Sequence, residues 1–302
     1  MASALVRELI DAGIHFGHRA SRWDPKMAPY IFGKRNSIHI IDIRQTVKGL
    51  LRAKKFLAAI VGQGQDVLIV GTKRQARDSV VKQAQRVGMH YVSERWLGGT
   101  LTNFKTIRSR LSRLEFLEEL ERSGEIEKYS KKARAGIARE RAKITRNLEG
   151  IRKMTRLPGA LVILDVKREH IAVKEARKLG IPTVCLVDTD SDPDGADIII
   201  PGNDDAMRAI DMILGQLVAA IEEGKRGRAA ASGPSGEVSA GGPGHQRRSK
   251  RITTSSLAAQ QNEPPADEKP TGKPEEGVVE TVSTPVPQET VSPPPEVSDG
   301  VS

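Results

Sequence analysis

Short apolar segments alternate with amphipathic segments along residues 1–228, and this alternation constrains the fold more than any other feature. The run at 66–71 is almost continuously apolar, and residues 73–87 then show helical periodicity that stops at Gly88. The same order recurs as a strand, a helix and a second strand at residues 160–165, 168–179 and 183–187. Apolar strands separated by helices imply a mostly parallel sheet covered on both faces. The sequence therefore predicts a three-layer α/β domain.

Weaker signals of the same kind complete this pattern. Further short strands are predicted at residues 38–41, 90–92 and 198–200. Further helices are predicted at residues 44–61 and 204–222. The α/β domain is therefore expected to span residues 1–102 and 157–228, with one insertion between its two parts.

Residues 103–156 contain no strand signal and are predicted to form that insertion. Apolar side chains recur at three- and four-residue steps in two series, at 104–120 and 126–151, separated by Ser123 and Gly124. This pattern predicts two antiparallel helices in a coiled-coil hairpin. The segment has 16 basic and 8 acidic residues, a net charge of +8. That charge favours a polyanion or an acidic protein as neighbour, although it would also keep a protruding hairpin soluble.

The composition of the chain changes at residue 228. Residues 229–302 hold 11 of the 17 prolines, no aromatic residue, 6 basic and 10 acidic residues, for a net charge of −4. Such a segment buries too little apolar surface to offset its chain entropy, so a disordered Pro-rich tail is predicted. The net charge of +10 on the whole chain therefore leaves +14 on residues 1–228, which favours a polyanionic partner.

Cysteine content and hydropathy argue against several classes of protein. The single cysteine, Cys185, cannot form an internal disulfide or a thiolate metal cage, which favours a reducing, cytosolic setting. No apolar stretch approaches the roughly 18 residues of a membrane helix. Arg7 and Glu8 interrupt the N-terminal segment before a signal-peptide core forms. A membrane or secreted protein is therefore not expected.

A doubly wound sheet often binds a nucleotide, but the sequence lacks the loops for it. The turn after residue 70 holds one glycine, and neither the three-glycine dinucleotide fingerprint nor a Walker-type loop occurs in the chain. Thr72, Lys73 and Arg74 could still hold one phosphate, of RNA or of a nucleotide, at a helix N-terminus. A helix cap with exposed charges is the alternative, and the sequence does not separate the two.

The aspartates near the ends of the predicted strands do not form a recognisable site. The spaced aspartates of 190–195 imitate a calcium loop, but its twelfth position falls on Pro201 instead of glutamate. Asp165 and Asp188 end neighbouring strands, but the nearby sequence supplies no convincing histidine or nucleophile to pair with them. Turn formation and helix capping, the latter at 203–205, explain these aspartates better than catalysis does.

Two imidazoles, His15 and His18, stand three residues apart. Zinc would need two further ligands. Only distant residues could supply them, namely Asp188, Asp190, Asp192, Asp204 or His170. No metal, cofactor or catalytic residue is therefore predicted.

Two basic segments with interleaved aromatic residues point to nucleic acid instead. Residues 17–35 form an irregular, proline-containing stretch with five arginines and lysines, and residues 93–105 place cations around Gly98 and Gly99. Such loops suit phosphate contact with limited base stacking on structured RNA, although Trp23 and Trp96 could equally be core aromatics. The candidate RNA-binding residues are His18, Arg19, Arg22, Trp23, Lys26, Lys34, Arg35, Lys73, Arg74, Arg95, Trp96, Asn103 and Lys105.

Five stretches of the chain resemble one protein family. They are Gly-Ile-His-Phe-Gly-His at 13–18, Arg-Trp-Asp-Pro-Lys-Met at 22–27, Arg-Trp-Leu-Gly-Gly-Thr-Leu-Thr-Asn-Phe at 95–104, Pro-Gly-Ala-Leu-Val-Ile-Leu-Asp at 158–165 and Ile-Pro-Gly-Asn-Asp-Asp-Ala at 200–206. In order and spacing the chain resembles the bacterial small-subunit ribosomal protein S-two family over about residues 3–226. Ile14 and Asp190 depart slightly from the family pattern, and the extension past Gly227 is not a core family feature.

The resemblance implies a flavodoxin-like α/β domain with an inserted coiled-coil hairpin. It implies a protein that is not an enzyme, that binds small-subunit ribosomal RNA, joins the subunit late and helps recruit ribosomal protein S-one. RNA contact is expected at residues 18–35, at Lys73 and Arg74, at 95–105 and on part of the hairpin. The expected location is the cytoplasmic small subunit, beside neighbouring ribosomal proteins and without a membrane or a small-molecule substrate. A non-ribosomal RNA-binding assembly factor, or a degenerate nucleotide-binding α/β enzyme, stays as an alternative.

Overall fold

Strands and helices alternate through residues 2–231, the part of the chain that the computed structural model describes. The strands in this range are β1 (Phe16–Arg19), β2 (Ile31–Arg35), β3 (Ile38–Ile41), β4 (Val67–Val70), β5 (His90–Val92), β6 (Ala160–Ile163), β7 (Thr183–Val187) and β8 (Ile198–Pro201). The helices are α1 (Ala2–Asp11), α2 (Ile43–Gly62), α3 (Arg77–Val87), α4 (Phe104–Arg122), α5 (Lys131–Leu148), α6 (His170–Leu179) and α7 (Met207–Ala231). None of these helices combines the length and the apolar content that a bilayer span requires.

Strands β4 to β8 form one parallel sheet in the order β5-β4-β6-β7-β8. Counted within this sheet alone, the order is 2-1-3-4-5, which is the flavodoxin-like order. Alternate side chains of a strand serve different layers: Val67 and Ile69 pack into one core, whereas Leu68 and Val70 pack into the other. Because both faces are buried, the strands are almost continuously apolar. The prediction of an α/β fold with a parallel sheet is confirmed.

Each face of this sheet is covered by helices. On one face, Leu57 of α2, Val80 of α3 and Leu214 of α7 are buried in a shared core. On the other face, Ala176 of α6 and Ile107 of α4 are buried in a second core. The sheet between them makes the three layers that the sequence predicts.

Helices α4 and α5 are antiparallel and are connected through residues 123–130. Arg108 of α4 donates a hydrogen bond to the carbonyl oxygen of Arg152, just beyond α5, at 3.3 Å. Further along α4, Arg113 forms an ion pair with Glu140 at 3.4 Å. Because the partner numbers fall as α4 advances, the two helices run in opposite directions. The supercoil of a coiled coil stays a prediction.

Residues 16–41 contain a second sheet of three strands. The sequence predicts a strand at 38–41 but an irregular stretch at 17–35, and the structure corrects the second prediction. Strands β1, β3 and β2 are antiparallel neighbours in that order. Asn36 and Ser37, with φ of 50° and 62°, connect β2 to β3. Two left-handed residues are typical of a tight hairpin turn, but Asn-Ser is a weaker sequence signal than Asn-Gly. Pro25 and Pro29 also gave the segment the composition of a loop.

Several helix boundaries differ from their predictions. Helix α3 begins at Arg77, four residues later than predicted, because 73–76 form a turn. Helix α7 begins at Met207, because Asn203 accepts hydrogen bonds from the backbone N–H groups of Asp205 and Ala206 in a preceding turn. Helix α6 begins two residues late and α1 was not predicted.

The C-terminal end of α7 corrects the predicted start of the tail. The helix continues through 229–231, three alanines, the residue type with the highest helix propensity. The rest of the predicted tail, from residue 232 onward, lies outside the described residues.

Candidate nucleic-acid interface

The loops that follow the parallel strands meet at one edge of the sheet, which we call the carboxyl edge. It comprises the loops at residues 71–76, 93–103, 164–169, 188–197 and 202–206. The second sheet attaches here, because the N–H of His18 donates to Thr189 Oγ1 at 2.8 Å and the N–H of Asp24 donates to Thr189 O at 2.8 Å. A Cβ on Gly17 would lie 2.6 Å from the Thr189 side chain, so only glycine permits this approach. Most of the predicted site residues therefore lie on or beside the carboxyl edge.

Lys73 is held inside the carboxyl edge by aspartates from two other loops. Its Nζ lies 2.7 Å from Asp204 Oδ1, 2.6 Å from Asp205 Oδ1 and 3.6 Å from Asp165 Oδ2. Burial lowers the pKa of Lys73, but hydrogen bonds to Asp204 and Asp205 outweigh it and raise that pKa. The ammonium group is therefore charged, and the neighbouring aspartates balance its charge. Lys73 is thus not available for the RNA contact proposed from the sequence.

His18 lies in the same group of aspartates. Its Nδ1 is 3.1 Å from Asp188 Oδ2, and its Nε2 is 3.2 Å from Asp205 Oδ2. The Asp188 carboxylate beside the ring raises the pKa of His18 to about 9, so the imidazole is protonated at neutral pH. His18 therefore joins the second sheet to the carboxyl edge instead of pointing a free donor at a phosphate.

The same group could hold a metal ion. His18, Asp188 and Asp204 each offer one ligand atom, and these three atoms lie within 4.8 Å of one another. An imidazole with two carboxylates suits a divalent transition metal, which would take the place of the proton on His18. His15 is not in this set, and burial lowers its pKa. In sequence Asp188 and Asp204 are only distant possibilities, since strand β1 and two separate loops have to meet before the set exists.

The position where a nucleotide phosphate would lie is filled by a side chain of the protein. Glu169 is almost fully buried, and its Oε1 accepts hydrogen bonds from Thr72 N–H at 2.9 Å and from Thr72 Oγ1 at 2.5 Å. Residues 72–74 also precede α3 by a full turn, so no helix N-terminus points at them. This geometry corrects both sequence interpretations of Thr72–Arg74, the phosphate site and the helix cap. Arg74 alone of the three has an exposed, charged side chain.

The two tryptophans have different environments. Trp96 is only 6% exposed, and its indole Nε1–H donates to Glu175 Oε1 at 3.1 Å. Its ring therefore cannot stack on a base, which settles that alternative for Trp96 in favour of a core role. Trp23 is 37% exposed and packs against His39, with ring centroids 5.1 Å apart. The exposed part of the Trp23 side chain remains open to a partner.

The remaining candidate residues divide by whether a carboxylate neutralises them. Lys26 forms ion pairs with Asp192 at 2.9 Å and Asp194 at 2.6 Å. Asn103 is exposed, and its Oδ1 accepts from Thr106 Oγ1 at 2.8 Å. Seven other cations are exposed and have no ion-pair partner among residues 2–231: Arg19, Arg22, Lys34, Arg35, Arg74, Arg95 and Lys105.

An apolar groove beside the second sheet was missed by the sequence analysis. It lies between α1, β3 and the start of α2, has a volume of about 700 Å³, and is lined by Ile10, Ile40 and Val47 among others. Phe32, also in its wall, is 80% exposed. The signal would have been the outward-facing Phe of β2, but that strand was not predicted, so no face could be assigned to Phe32.

Comparison with known proteins decides the family. A family model described as Ribosomal protein S2 matches residues 9–224. The chain belongs to the ribosomal protein S2 family. This is the S-two family that the five sequence stretches resemble, so that prediction is confirmed. The matched range of this S2-family chain contains both sheets and the two helices between β5 and β6.

Similar relatives of this S2-family chain carry one name, Small ribosomal subunit protein uS2. The protein of Rhodopirellula baltica is 57% identical over 225 residues, which cover 74% of this chain and 86% of the relative. The protein of Desulforapulum autotrophicum is 52% identical over 224 residues, covering 74% and 80%. The protein of Syntrophobacter fumaroxidans is 51% identical over 226 residues, covering 75% and 82%.

Proposed function

We propose that this chain is a structural protein of the small ribosomal subunit, without a catalytic role, that binds small-subunit ribosomal RNA. The relatives named above support the subunit, and the exposed cations support RNA as the partner. Lys26, Lys73 and His18 are neutralised by aspartates, whereas the seven exposed cations keep their charge unpaired within the described residues. This division is the observation that carries the proposal, because exposed arginines and lysines without an ion-pair partner are the groups that contact phosphates.

The RNA surface that we propose is narrower than the sequence prediction. Arg74 and Arg95 follow β4 and β5, neighbouring strands whose carboxyl ends share one edge. Arg19 and Arg22 reach the same edge, because β1 and residue 24 are bonded to Thr189. Lys105, at the start of α4, extends the surface toward the hairpin, where 16 basic residues stand against 8 acidic ones. Part of the hairpin is therefore included in the proposal.

Two alternatives have less support. A nucleotide-dependent enzyme would need a phosphate-binding turn, and Glu169 already accepts the Thr72 N–H that such a turn would offer. A transient, non-ribosomal assembly factor could share the same cations, but the curated relatives named above are described as proteins of the small subunit. We propose ribosome-bound, cytoplasmic residence on the same grounds.

Charge reversal tests the RNA contact. In a chain with Arg95→Glu and Lys105→Glu, we expect incorporation into small subunits to fall at least tenfold, because two phosphate contacts become repulsive. The measurement is the amount of protein that co-purifies with small subunits assembled from depleted components. Lys82→Glu with Lys178→Glu is the matched control, since these exposed lysines lie on α3 and α6 and the net charge changes equally. Unchanged incorporation of the Arg95 and Lys105 variant would contradict the proposal.

We also propose that the chain joins late in assembly and helps recruit ribosomal protein S-one. The observation that favours a protein partner is the apolar groove, because a phenylalanine 80% exposed in an apolar wall suits a protein surface better than an RNA backbone. A segment of S-one that buries Phe32 would remove this apolar area from water.

The groove gives a separate test for S-one. With Phe32→Ala we expect S-one bound per small subunit to fall about tenfold, whereas incorporation of the chain itself stays at the wild-type level. The amounts of both proteins are measured on purified subunits. Phe116→Ala, which removes an exposed phenylalanine of α4 instead, is the control. Normal S-one occupancy on Phe32→Ala subunits would show that the groove does not hold S-one.

A further inference from the structure

A buried carboxylate on α6 holds the loop that carries Arg95 and Lys105. Glu175 is 7% exposed, and its Oε1 accepts hydrogen bonds from the indole N–H of Trp96 at 3.1 Å and from Gly99 N–H at 2.8 Å. Its Oε2 accepts from the N–H groups of Leu101 and Thr102 at 3.0 Å each. A further bond from Thr102 Oγ1, at 3.2 Å, completes the set. One side chain thus holds residues 96–102, which we call the held segment.

The backbone of the held segment is shaped around this carboxylate. Gly99 has a φ of 89°, in the left-handed region that favours glycine, and this turn lets successive N–H groups converge on one anion. A Cβ on Gly99 would also lie 3.2 Å from Asn103 Cβ. The segment therefore depends on an anion at its centre, and Glu175 supplies it from α6.

The held segment separates two of the cations in the proposed RNA surface. Arg95 directly precedes it, and Lys105 lies in the first turn of α4, three residues after the segment ends at Thr102. Both are exposed, and neither forms an ion pair with any residue that the structure describes. The path of the held segment therefore sets the separation and the relative direction of these two charges.

We propose that Glu175 is a positioning residue for RNA binding: it fixes the held segment so that Arg95 and Lys105 reach phosphates together. This inference rests on the proposed function, because it assigns a role within the same RNA surface. Glu175 itself touches no RNA, since its carboxylate is enclosed and fully occupied by hydrogen bonds from the loop. Preorganisation lets two contacts form without the cost of ordering the loop on binding.

The substitution Glu175→Gln separates positioning from simple electrostatics. It removes a negative charge from beside the loop that connects Arg95 and Lys105. Charge alone therefore predicts tighter RNA binding. It also places amide N–H groups against backbone donors, which opens the held segment. Positioning therefore predicts weaker binding, about five- to tenfold, with the salt dependence of log K reduced by about one. Amide hydrogen exchange at Gly99, Leu101 and Thr102 should speed up in the same protein.

The binding experiment uses the full chain and small subunits depleted of it, titrated across a range of salt concentrations. Three variants are compared: Glu175→Gln alone, the double variant with Arg95→Ala and Lys105→Ala, and the triple variant that combines all three substitutions. If Glu175 acts through the two cations, its substitution adds nothing to the loss of the double variant. Leu57→Ala, a core substitution on the opposite face of the sheet, controls for general destabilisation and should keep the wild-type salt dependence.

The outcomes distinguish this inference from the proposed function. If Arg95→Ala with Lys105→Ala leaves binding unchanged, the loop does not contact RNA and the proposed function fails at this surface. If that double variant binds weakly but Glu175→Gln binds as the wild type does, or more tightly, positioning by Glu175 is overturned. An additive loss in the combined variant would also overturn it. Glu175→Asp, which keeps the charge but shortens the side chain, should weaken binding as well.

Discussion

Individual carboxylates decide how much positive charge remains available at the carboxyl edge. Lys73 and Lys26 are each paired with two or more aspartates, and Glu169 accepts the N–H that a bound phosphate would use. Glu175 has a different role, because it organises a loop whose flanking cations stay unpaired within the described residues. The chemistry of the surface is thus set by acidic residues as much as by basic ones.

The hydrogen bonds on Glu175 predict a dependence of stability on pH. Burial alone would raise the pKa of Glu175, but the hydrogen bonds from Thr102, Leu101, Trp96 and Gly99 outweigh it and lower that pKa. A lowered pKa means that the stabilisation is complete above the unfolded-state value near 4.5 and is lost as the pH falls through the folded-state value.

We therefore expect Glu175→Gln to lower the free energy of unfolding by roughly 2–3 kcal/mol at pH 7, and by less below pH ~4. Urea unfolding of wild type and variant, followed from pH 7 to pH 3, measures this difference. A difference between the two proteins that stays constant over that range would show that the ionised carboxylate is not the stabilising group.

The ion-pair partners of individual lysines could not be predicted from the sequence. Asp192 lies 166 residues from Lys26, and Asp204 lies 131 residues from Lys73. In sequence these lysines resemble Arg95, which is unpaired. Residue type and spacing identify candidate cations, but their neutralisation depends on loops that meet only when the parallel strands align.

At the scale of elements, prediction succeeded where burial on two faces leaves a strong pattern. Strands β4, β6 and β7 are apolar at almost every position, and each was predicted within a residue or two at either end. Strands β1 and β2 were missed, because they are half exposed and joined to prolines and to an Asn-Ser turn. The groove beside Phe32 was missed for the same reason, since a side chain cannot be assigned to a face of an unrecognised strand.

The first residues of two helices, α3 and α7, were also predicted wrongly. Polar contacts of side chains before each helix explain the difference. Residues 73–76 have helical periodicity in sequence, yet Lys73 is drawn toward Asp204 and the helix begins only at Arg77. At α7, Asn203 holds a turn where the pattern already suggested a helix. Helix ends were better predicted, because Gly88 and Gly180 adopt the left-handed conformation that ends α3 and α6.

At the scale of the whole molecule, charge is unevenly distributed along the sequence. Residues 1–228 carry +14, of which +8 belongs to residues 103–156, whereas residues 229–302 carry −4. This distribution, the family and the unpaired cations support the proposal that the chain is a resident protein of the small subunit, held there by many phosphate contacts. Such contacts weaken as salt competes for the phosphates, but a resident protein is also buried among its neighbours and dissociates slowly.

Co-sedimentation with small subunits in moderately high salt tests whether the chain is a resident protein. We expect one copy of the chain per small subunit to remain in the subunit fraction after the wash. Loss of the chain from the subunits at salt concentrations that leave the other small-subunit proteins bound would identify a transient RNA-binding factor instead of a resident protein.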